Sequence, residues 1–387
     1  MSGGLGLEQR YRRVLRLLPG YYRQRWEQDM VAAFLDSWLT GDPEVDEAVL
    51  KFCRPNWGEV ASVAGLAAQL YLGGAATPRR YFAWGQAVRG AVLAVLLVHA
   101  VLGLNVLVRI AWSRRVFGLP APPASLVIAS PGGVWPTVFY LVNLAWIVIF
   151  VALALGRYRT ARVLAGLAIV PGLVALLQAQ LTGIMPAPFG PWAWWVLFDL
   201  APVAAMAAFH SVAPPAARLP WLLALPAGYL LVVVPLLVAQ ATGNSAWVPD
   251  LPGQCCLLVA LACLVHVPSA WSRRADGSGV WSLTLALLAA VFGAYRIVTL
   301  SGYLHDPHLI KVSLAELVIL AAAAALVAPD GARAQAATPA PPYPGTIAAL
   351  GGPSTCRSSA RRARCPSWPV CWPPRASCSP PPAAQAT

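Results

Sequence analysis

The sequence is poor in charged residues and has almost no lysine. Only 11% of its 387 residues are charged and 58% are apolar, whereas a soluble domain carries about 25% charged residues. Lys51 and Lys311 are the two lysines, so arginine supplies nearly all of the positive charge. This composition excludes an ordinary soluble enzyme, a disordered protein and a secreted disulfide scaffold. It predicts an all-α fold, a polytopic bundle of transmembrane helices.

The sequence also lacks the motifs of soluble enzymes. It contains no Walker-type phosphate loop, no dinucleotide-binding fingerprint, no H-E-x-x-H and no nucleophile elbow. These absences argue against an ATPase, a nucleotide-dependent enzyme and a zinc protease. The motifs therefore assign no catalytic, cofactor-binding or metal-binding residue, and we expect no cofactor.

The net charge of +13 indicates a membrane rather than a nucleic-acid partner. Membrane proteins keep Lys and Arg in the loops on the cytoplasmic side of their helices. No RNA- or DNA-binding motif accompanies the arginines. We expect the lipid bilayer as a partner and no nucleic acid.

The eight cysteines do not form a disulfide framework. Cys255, Cys256 and Cys263 lie in one apolar segment, where a buried cysteine behaves as a small hydrophobic residue. Cys256, Cys263 and His266 share one helix face by their spacing and could ligate a soft metal. Three residues on one helix rarely complete a site, so core packing is the favoured interpretation.

Residues 1–80 form a polar segment that differs from the rest of the chain. It holds 10 basic and 9 acidic residues and shows no signal peptide, so we expect it in the cytoplasm. Its apolar residues recur at helical spacing, for example at Tyr22, Trp26 and Met30. A third helical segment, from Asn56 to Leu72, is apolar nearly all round and must be buried or lie on the membrane. We predict a small cytoplasmic helical domain close to the bilayer.

Residues 85–330 are predicted to form a transmembrane domain. A helix needs about 20 apolar residues to cross the hydrocarbon core. Eight segments qualify as candidate spans: 91–108, 134–155, 163–181, 192–209, 221–240, 255–271, 281–300 and 309–328.

The arginines between the predicted spans indicate the orientation of the chain. With the amino terminus inside, the inner loops hold Arg157, Arg159, Arg162, Arg218, Arg273 and Arg274. The first outer loop opposes this topology, because it holds Arg109, Arg114 and Arg115. The balance predicts a multi-pass protein of the cell (plasma) membrane with both termini in the cytoplasm. Residues 331–387, rich in Pro, Ala, Arg and Cys, are predicted to be a disordered tail.

Charged residues inside the predicted spans are the candidate functional residues, because burial of charge in lipid is costly. They are Asp199, Arg296, Lys311 and Glu316. The loop before the last span adds His305, Asp306 and His308, which could bind a metal or titrate with external pH. Two interpretations stay open: one polar cluster that binds a ligand, ion or proton, or structural pairing between helices.

The amino-terminal segment resembles a known kind of helical head. The stretches are RYRRVLRLLP at 10–19, YYR at 21–23 and WEQDM at 26–30. They resemble the permease-prefix segments of some ABC-type permeases and the HAAS-like heads of multi-span membrane proteins from actinobacteria. The resemblance covers about 30 residues and implies a regulatory or signalling role. It carries over no catalytic residue.

The sequence therefore favours a non-enzymatic membrane-anchored signalling, regulatory or assembly component. Its cytoplasmic head, residues 1–80, would bind a protein partner. A transporter or permease component is one alternative, hinted at by Pro171 and Pro202 inside spans. A membrane-embedded lipid-modifying enzyme is the other. It would have to use the set Asp199, His305, His308 and Glu316.

Overall fold

The structure is a computed structural model in which every described element is helical. It describes residues 6–73, 77–116, 118, 134–182, 192, 195–209, 218–242, 249–272, 278–300 and 307–336. The all-α fold predicted from the sequence is confirmed for these residues. Both the polar segment and the apolar helices belong to one compact unit, Met1–Pro341.

Four helices form the amino-terminal part, and longer apolar helices follow. The first four are α1 (Leu7–Leu15), α2 (Gly20–Trp38), α3 (Pro43–Phe52) and α4 (Trp57–Tyr71). The next four are α5 (Arg79–Ser113), α6 (Val134–Ala154), α7 (Tyr158–Leu181) and α8 (Ala201–Ala205). The last five are α9 (Arg218–Gly228), α10 (Val234–Thr242), α11 (Leu251–Ser272), α12 (Ser278–Leu300) and α13 (Pro307–Ala336).

Helices α1 to α4, which we call the head, enclose a small hydrophobic core of their own. Leu7 and Leu15 of α1 are fully buried in it. The rings of Tyr11 and Phe34 stack with their centroids 3.9 Å apart, and burial raises the pKa of the Tyr11 hydroxyl. A stacked aromatic pair adds about 0.5–1.5 kcal/mol to the area that it buries.

Two of the head helices, α3 and α4, begin at residues whose side chains accept hydrogen bonds from the first backbone N–H groups. Asp42 accepts a hydrogen bond from the N–H of Glu44 before α3, and Pro43 occupies the first helical position. Asn56 and Glu59 form a reciprocal capping box at the start of α4. Such a cap stabilises a helix by about 1 kcal/mol, so these helix starts are encoded locally in the sequence.

Close packing joins the head to the first long helix. The carbonyl of Leu72, at the end of α4, lies directly where a Cβ on Gly85 of α5 would be. The ring of Tyr81 contacts those of Tyr21 and Tyr71, at centroid distances of 5.4 and 5.8 Å. Only glycine at position 85 permits this approach, so the head is seated against the beginning of α5.

The apolar helices identify the chain as a multi-pass membrane protein. Six stretches among the described residues are long and apolar enough to cross a bilayer: Arg80–Ser113, Tyr158–Leu181, Arg218–Ala239, Leu251–Pro268, Gly279–Leu300 and Pro307–Ala332. The two other predicted spans, 134–155 and 192–209, coincide with the shorter apolar stretches Tyr140–Ala154 and Phe198–Ala208. The described residues thus support six of the eight predicted spans.

Helix α5 contributes to both large cores of the apolar bundle. One core joins it to α11, α12 and α13, and the other joins it to α6 and α7. The second core contains fully buried alanines, Ala100, Ala161 and Ala165, and small residues let neighbouring helices approach closely in a membrane. Cys255, Cys256 and Cys263 are buried in the first core, as expected for cysteines that pack as small hydrophobic residues.

The segment around α8 is irregular. A π-helical turn, Trp195–Leu200, precedes α8, and a 3₁₀ turn, Met206–Ala208, follows it. At the carboxyl end of this segment, Arg162 donates hydrogen bonds to the carbonyls of Met206 and Phe209. Arg89 donates to the carbonyl of Ala208 at 3.3 Å. Cations at the carboxyl end of a helix are favourable, so these arginines stabilise an end that the backbone alone leaves unsatisfied.

The last helix, α13, continues past the predicted end of the transmembrane domain at residue 330. It runs to Ala336, so residues 331–336, predicted to belong to the disordered tail, are helical. The remainder of the predicted tail, residues 337–387, lies outside the described residues.

Candidate functional site

The structure places the candidate residues from the sequence in different surroundings. Arg296 and Glu316 are paired with each other, whereas Asp199 lies beside His99. His308 and Lys311 are exposed at the beginning of α13. His305 and Asp306 lie outside the described residues. We call the first group the Arg296 cluster and the second the His99–Asp199 pair.

The Arg296 cluster consists of one guanidinium between two carboxylates. Arg296 Nη2 lies 2.6 Å from Glu316 Oε2, and Arg296 Nη1 lies 2.7 Å from Asp250 Oδ2. Arg296 and Glu316 are 2% and 4% exposed, whereas the Asp250 side chain is 34% exposed. The cluster therefore links the start of α11 to the interiors of α12 and α13.

Asp250 has a second role as the residue that precedes α11. Its Oδ1 accepts a hydrogen bond from the N–H of Gly253 at 3.1 Å, which is the geometry of an N-cap. Asp250 was not among the residues selected from the sequence, because it lies outside predicted span 255–271. The signal that could have found it is an aspartate immediately before an apolar helix.

The absence of a side chain at Gly253 leaves room for the Glu316 carboxylate. A Cβ on Gly253 would collide with Oε1 of Glu316 and would lie 2.8 Å from its Cδ. The Sγ of Cys256, one turn further along α11, lies 3.7 Å from the carbonyl of Phe292. The surface of α11 is thus shaped to receive the acidic side chain of α13.

The His99–Asp199 pair joins α5 to the irregular segment. His99 Nε2 lies 3.0 Å from the carbonyl oxygen of Phe198 and 3.8 Å from Asp199 Oδ1. The imidazole stacks on the ring of Trp146, with centroids 4.7 Å apart. In the tautomer protonated at Nε2, His99 donates to the Phe198 carbonyl. The pair thus combines a buried imidazole with a half-buried carboxylate. Asp199 lies within the π-helical turn, a type of distortion frequent at functional sites.

A metal centre is not formed by the described part of the chain. Within it, no three His, Cys, Asp or Glu side chains converge. His266, which shares a helix face with Cys256 and Cys263, lies 3.0 Å from Ser282 Oγ. The metal interpretation of His305 with His308 concerns a loop that lies outside the described residues.

The head carries an open basic groove of about 460 Å³. Its lining residues are Arg10, Arg13, Val14, Arg54, Pro55 and Val60. Arg10 Nη1 donates to the carbonyls of Phe52 at 3.3 Å and Cys53 at 2.6 Å. This holds α1 against the connection between α3 and α4. The side chains of Arg13 and Arg54 are exposed, so the groove offers two solvent-facing cations above an apolar floor.

No family model, no curated protein and no solved structure matches the chain. The functional argument therefore depends on the geometry of the head, the Arg296 cluster and the His99–Asp199 pair.

Proposed function

We propose that this protein is a membrane-anchored signalling, regulatory or assembly component whose head binds a cytoplasmic protein. The supporting observation is the basic groove lined by Arg10, Arg13 and Arg54. The groove combines cations with Val14 and Pro55 and has no acidic residue in its lining. The groove therefore fits a segment of a partner protein that contains acidic residues and at least one apolar side chain.

The electrostatics of the groove favour such a partner. Arg10 is held by two backbone carbonyls, while Arg13 and Arg54 remain exposed. A complementary potential mainly raises the association rate and excludes partners of the wrong charge. The resemblance of residues 10–30 to regulatory heads supports the same function.

The test is affinity isolation of the full-length protein from native membranes in mild detergent. The double variant Arg13→Glu/Arg54→Glu reverses both exposed charges of the groove without removing core residues. Arg25→Glu, on an exposed part of α2, is the matched control. We expect a protein that co-purifies with the parent chain and with the control and is lost from the double variant and from a chain without residues 1–80.

The proposal fails if no co-purifying protein depends on residues 1–80. It fails equally if the control removes the partner as completely as the double variant, because the effect would then come from net charge alone.

A solute transporter is the second candidate function, and the His99–Asp199 pair favours it. Transporters place their substrate and coupling-ion sites at interrupted helices near the middle of the membrane. Asp199 lies in such an interruption, inside the π-helical turn that directly precedes α8. Asp199→Asn is expected to abolish uptake of a solute while the protein stays in the membrane. Unchanged uptake of every solute that the parent protein transports would exclude this function.

A further inference from the structure

Helix α4 of the head has an apolar face that no other part of the described chain covers. Val63 and Ala67 are buried in the head core. A second side of the helix, about 125° round the axis at 3.6 residues per turn, presents Trp57, Ala61, Ala64 and Gly65, all of them exposed. Trp57 is 87% exposed, so its large apolar side chain contacts the medium that surrounds the head.

This face is free of charge and is bounded by aromatic residues. Glu59 is the one charged residue of α4, and it lies toward Trp38, to which it is hydrogen-bonded. Trp57 lies at the amino end of α4 and Tyr71 at its carboxyl end. Phe52, which precedes α4 in the chain, is 72% exposed. Trp and Tyr are enriched where a polypeptide meets the interface between lipid and water.

The position of α4 relative to the membrane-crossing part of α5 indicates what covers the exposed face of α4. The carbonyl of Leu72 contacts Gly85, which lies in the first turns of the apolar stretch Arg80–Ser113. That stretch has 34 residues, more than the roughly 20 that cross the hydrocarbon core. The carboxyl end of α4 is therefore held against the part of α5 where the membrane-crossing stretch begins.

Basic residues at both ends of α4 provide charge complementarity to a lipid surface. Arg54 is exposed before the helix. Arg80, which lies over the ring of Tyr81 at 4.6 Å, is exposed beyond it. Arginines close to a membrane surface are attracted by its anionic lipids.

We propose that α4 lies in the headgroup region of the bilayer on the side of the amino terminus, with the face of Trp57, Ala61, Ala64 and Gly65 turned toward the lipid. The helix then has two partners: the head core on one side and the membrane on the other. This arrangement fixes the orientation of the head relative to the membrane and leaves α1 and α2 facing the aqueous phase. It shares Arg54 with the basic groove but does not rest on the proposed partner-binding function, because Trp57 and the contact between Leu72 and Gly85 carry it.

Site-specific photocrosslinking of the full chain tests the proposal. Ala64 is replaced by p-benzoylphenylalanine, and the purified protein is reconstituted in vesicles of phosphatidylcholine and phosphatidylglycerol. The same replacement at Gln28, exposed on α2, is the control. We expect phospholipid adducts at position 64, detected by mass spectrometry, and none at position 28.

Two charge variants separate membrane contact from a general effect on the head. Ala61→Glu places a carboxylate on the proposed lipid face, and Ser62→Glu places one on the flank of the same helix, about 100° away at 3.6 residues per turn. We expect the lipid adducts at position 64 to be lost in the first variant and retained in the second. Both positions are exposed, so the head core is left intact.

Three results would overturn the proposal. The first is adducts at position 64 with a second copy of the chain in place of lipid. The second is the absence of any adduct at that position while α5 positions in the same vesicles react with lipid. The third is an equal loss of lipid adducts in Ala61→Glu and Ser62→Glu.

Discussion

Removal of the Arg296 side chain is expected to cost far more stability than neutralisation of its buried partner Glu316. Arg296→Met leaves the Glu316 carboxylate buried without a cation, and it also removes the partner of Asp250. Breaking a buried ion pair by removing one member costs about 3–5 kcal/mol. We expect a loss of this size in the free energy of unfolding.

Glu316→Gln has a different balance of charge. Arg296 keeps Asp250 at 2.7 Å, so one cation still faces one carboxylate, and the amide oxygen of glutamine can accept a hydrogen bond in place of the carboxylate. The expected loss is about 1 kcal/mol, less than the roughly 1.5–3 kcal/mol of a hydrogen bond to a charged group, because the amide oxygen still accepts a hydrogen bond from Arg296.

The double variant Arg296→Met/Glu316→Gln provides the decisive comparison. It leaves no buried charge, since the remaining carboxylate of Asp250 is 34% exposed and caps α11. We expect the double variant to be more stable than Arg296→Met by about 2 kcal/mol. Together with the loss of about 1 kcal/mol expected for Glu316→Gln, this is a coupling energy of about 3 kcal/mol, at the upper end of the range for residues in one network.

Equilibrium unfolding of the full chain in mixed detergent micelles measures all three values. The reasoning is refuted if Arg296→Met is no more destabilising than Glu316→Gln. It is refuted as well if the double variant loses the sum of the two single losses, because the side chains would then act independently.

Three further predictions concern packing and pH. Gly85→Val is expected to separate α4 from α5, because its Cβ would occupy the place of the Leu72 carbonyl; faster proteolysis between the head and α5 in the full chain would show this, and an unchanged cleavage pattern would contradict it. Gly253→Ala is expected to displace the Glu316 carboxylate and to reduce the thermal stability of the parent chain. The same substitution should reduce stability less in a Glu316→Ala chain, whose side chain does not reach the point of collision. Hydrogen bonds from the preceding loop lower the pKa of Asp46 in the folded chain. The stability that these bonds provide is therefore fully present above the pKa of an unfolded aspartate, about 3.9. It is lost as the pH falls through the lower pKa of the folded state. Hydrogen exchange of the loop amides, corrected for its intrinsic pH dependence, should show this loss in the parent chain and not in Asp46→Asn.

The predictions of the fold that the structure confirms depend on patterns among neighbouring residues. Six predicted spans recur as long apolar helices, because about 20 consecutive apolar residues are sufficient to cross the hydrocarbon core whatever their neighbours are. The start of α4 was expected at Asn56, and the capping box with Glu59 forms there. Span 192–209 differs, since the chain changes from π to α to 3₁₀ geometry over the part described.

The partners of the buried charges were beyond local patterns. Asp199, Arg296 and Glu316 were expected either in one polar cluster or in structural pairs, and the structure pairs Arg296 with Glu316. Asp250 was not selected, although it directly precedes an apolar helix, because it is 46 residues from Arg296 in the chain. Asp199 lies instead beside His99, for which no partner was predicted.

The sequence by itself determined the class of the molecule: its composition demands a membrane environment, and its periodicity sets helices around Gly, Pro and capping residues. These are properties of neighbouring residues and need no tertiary information. Only the tertiary structure decided which face of α4 packs on the head and which stays uncovered, and which carboxylates share Arg296. The packing of α4 and the partners of Arg296 both depend on side chains that are distant in the chain and meet only when the helices pack. Hydropathy does not distinguish one such set of partners from another.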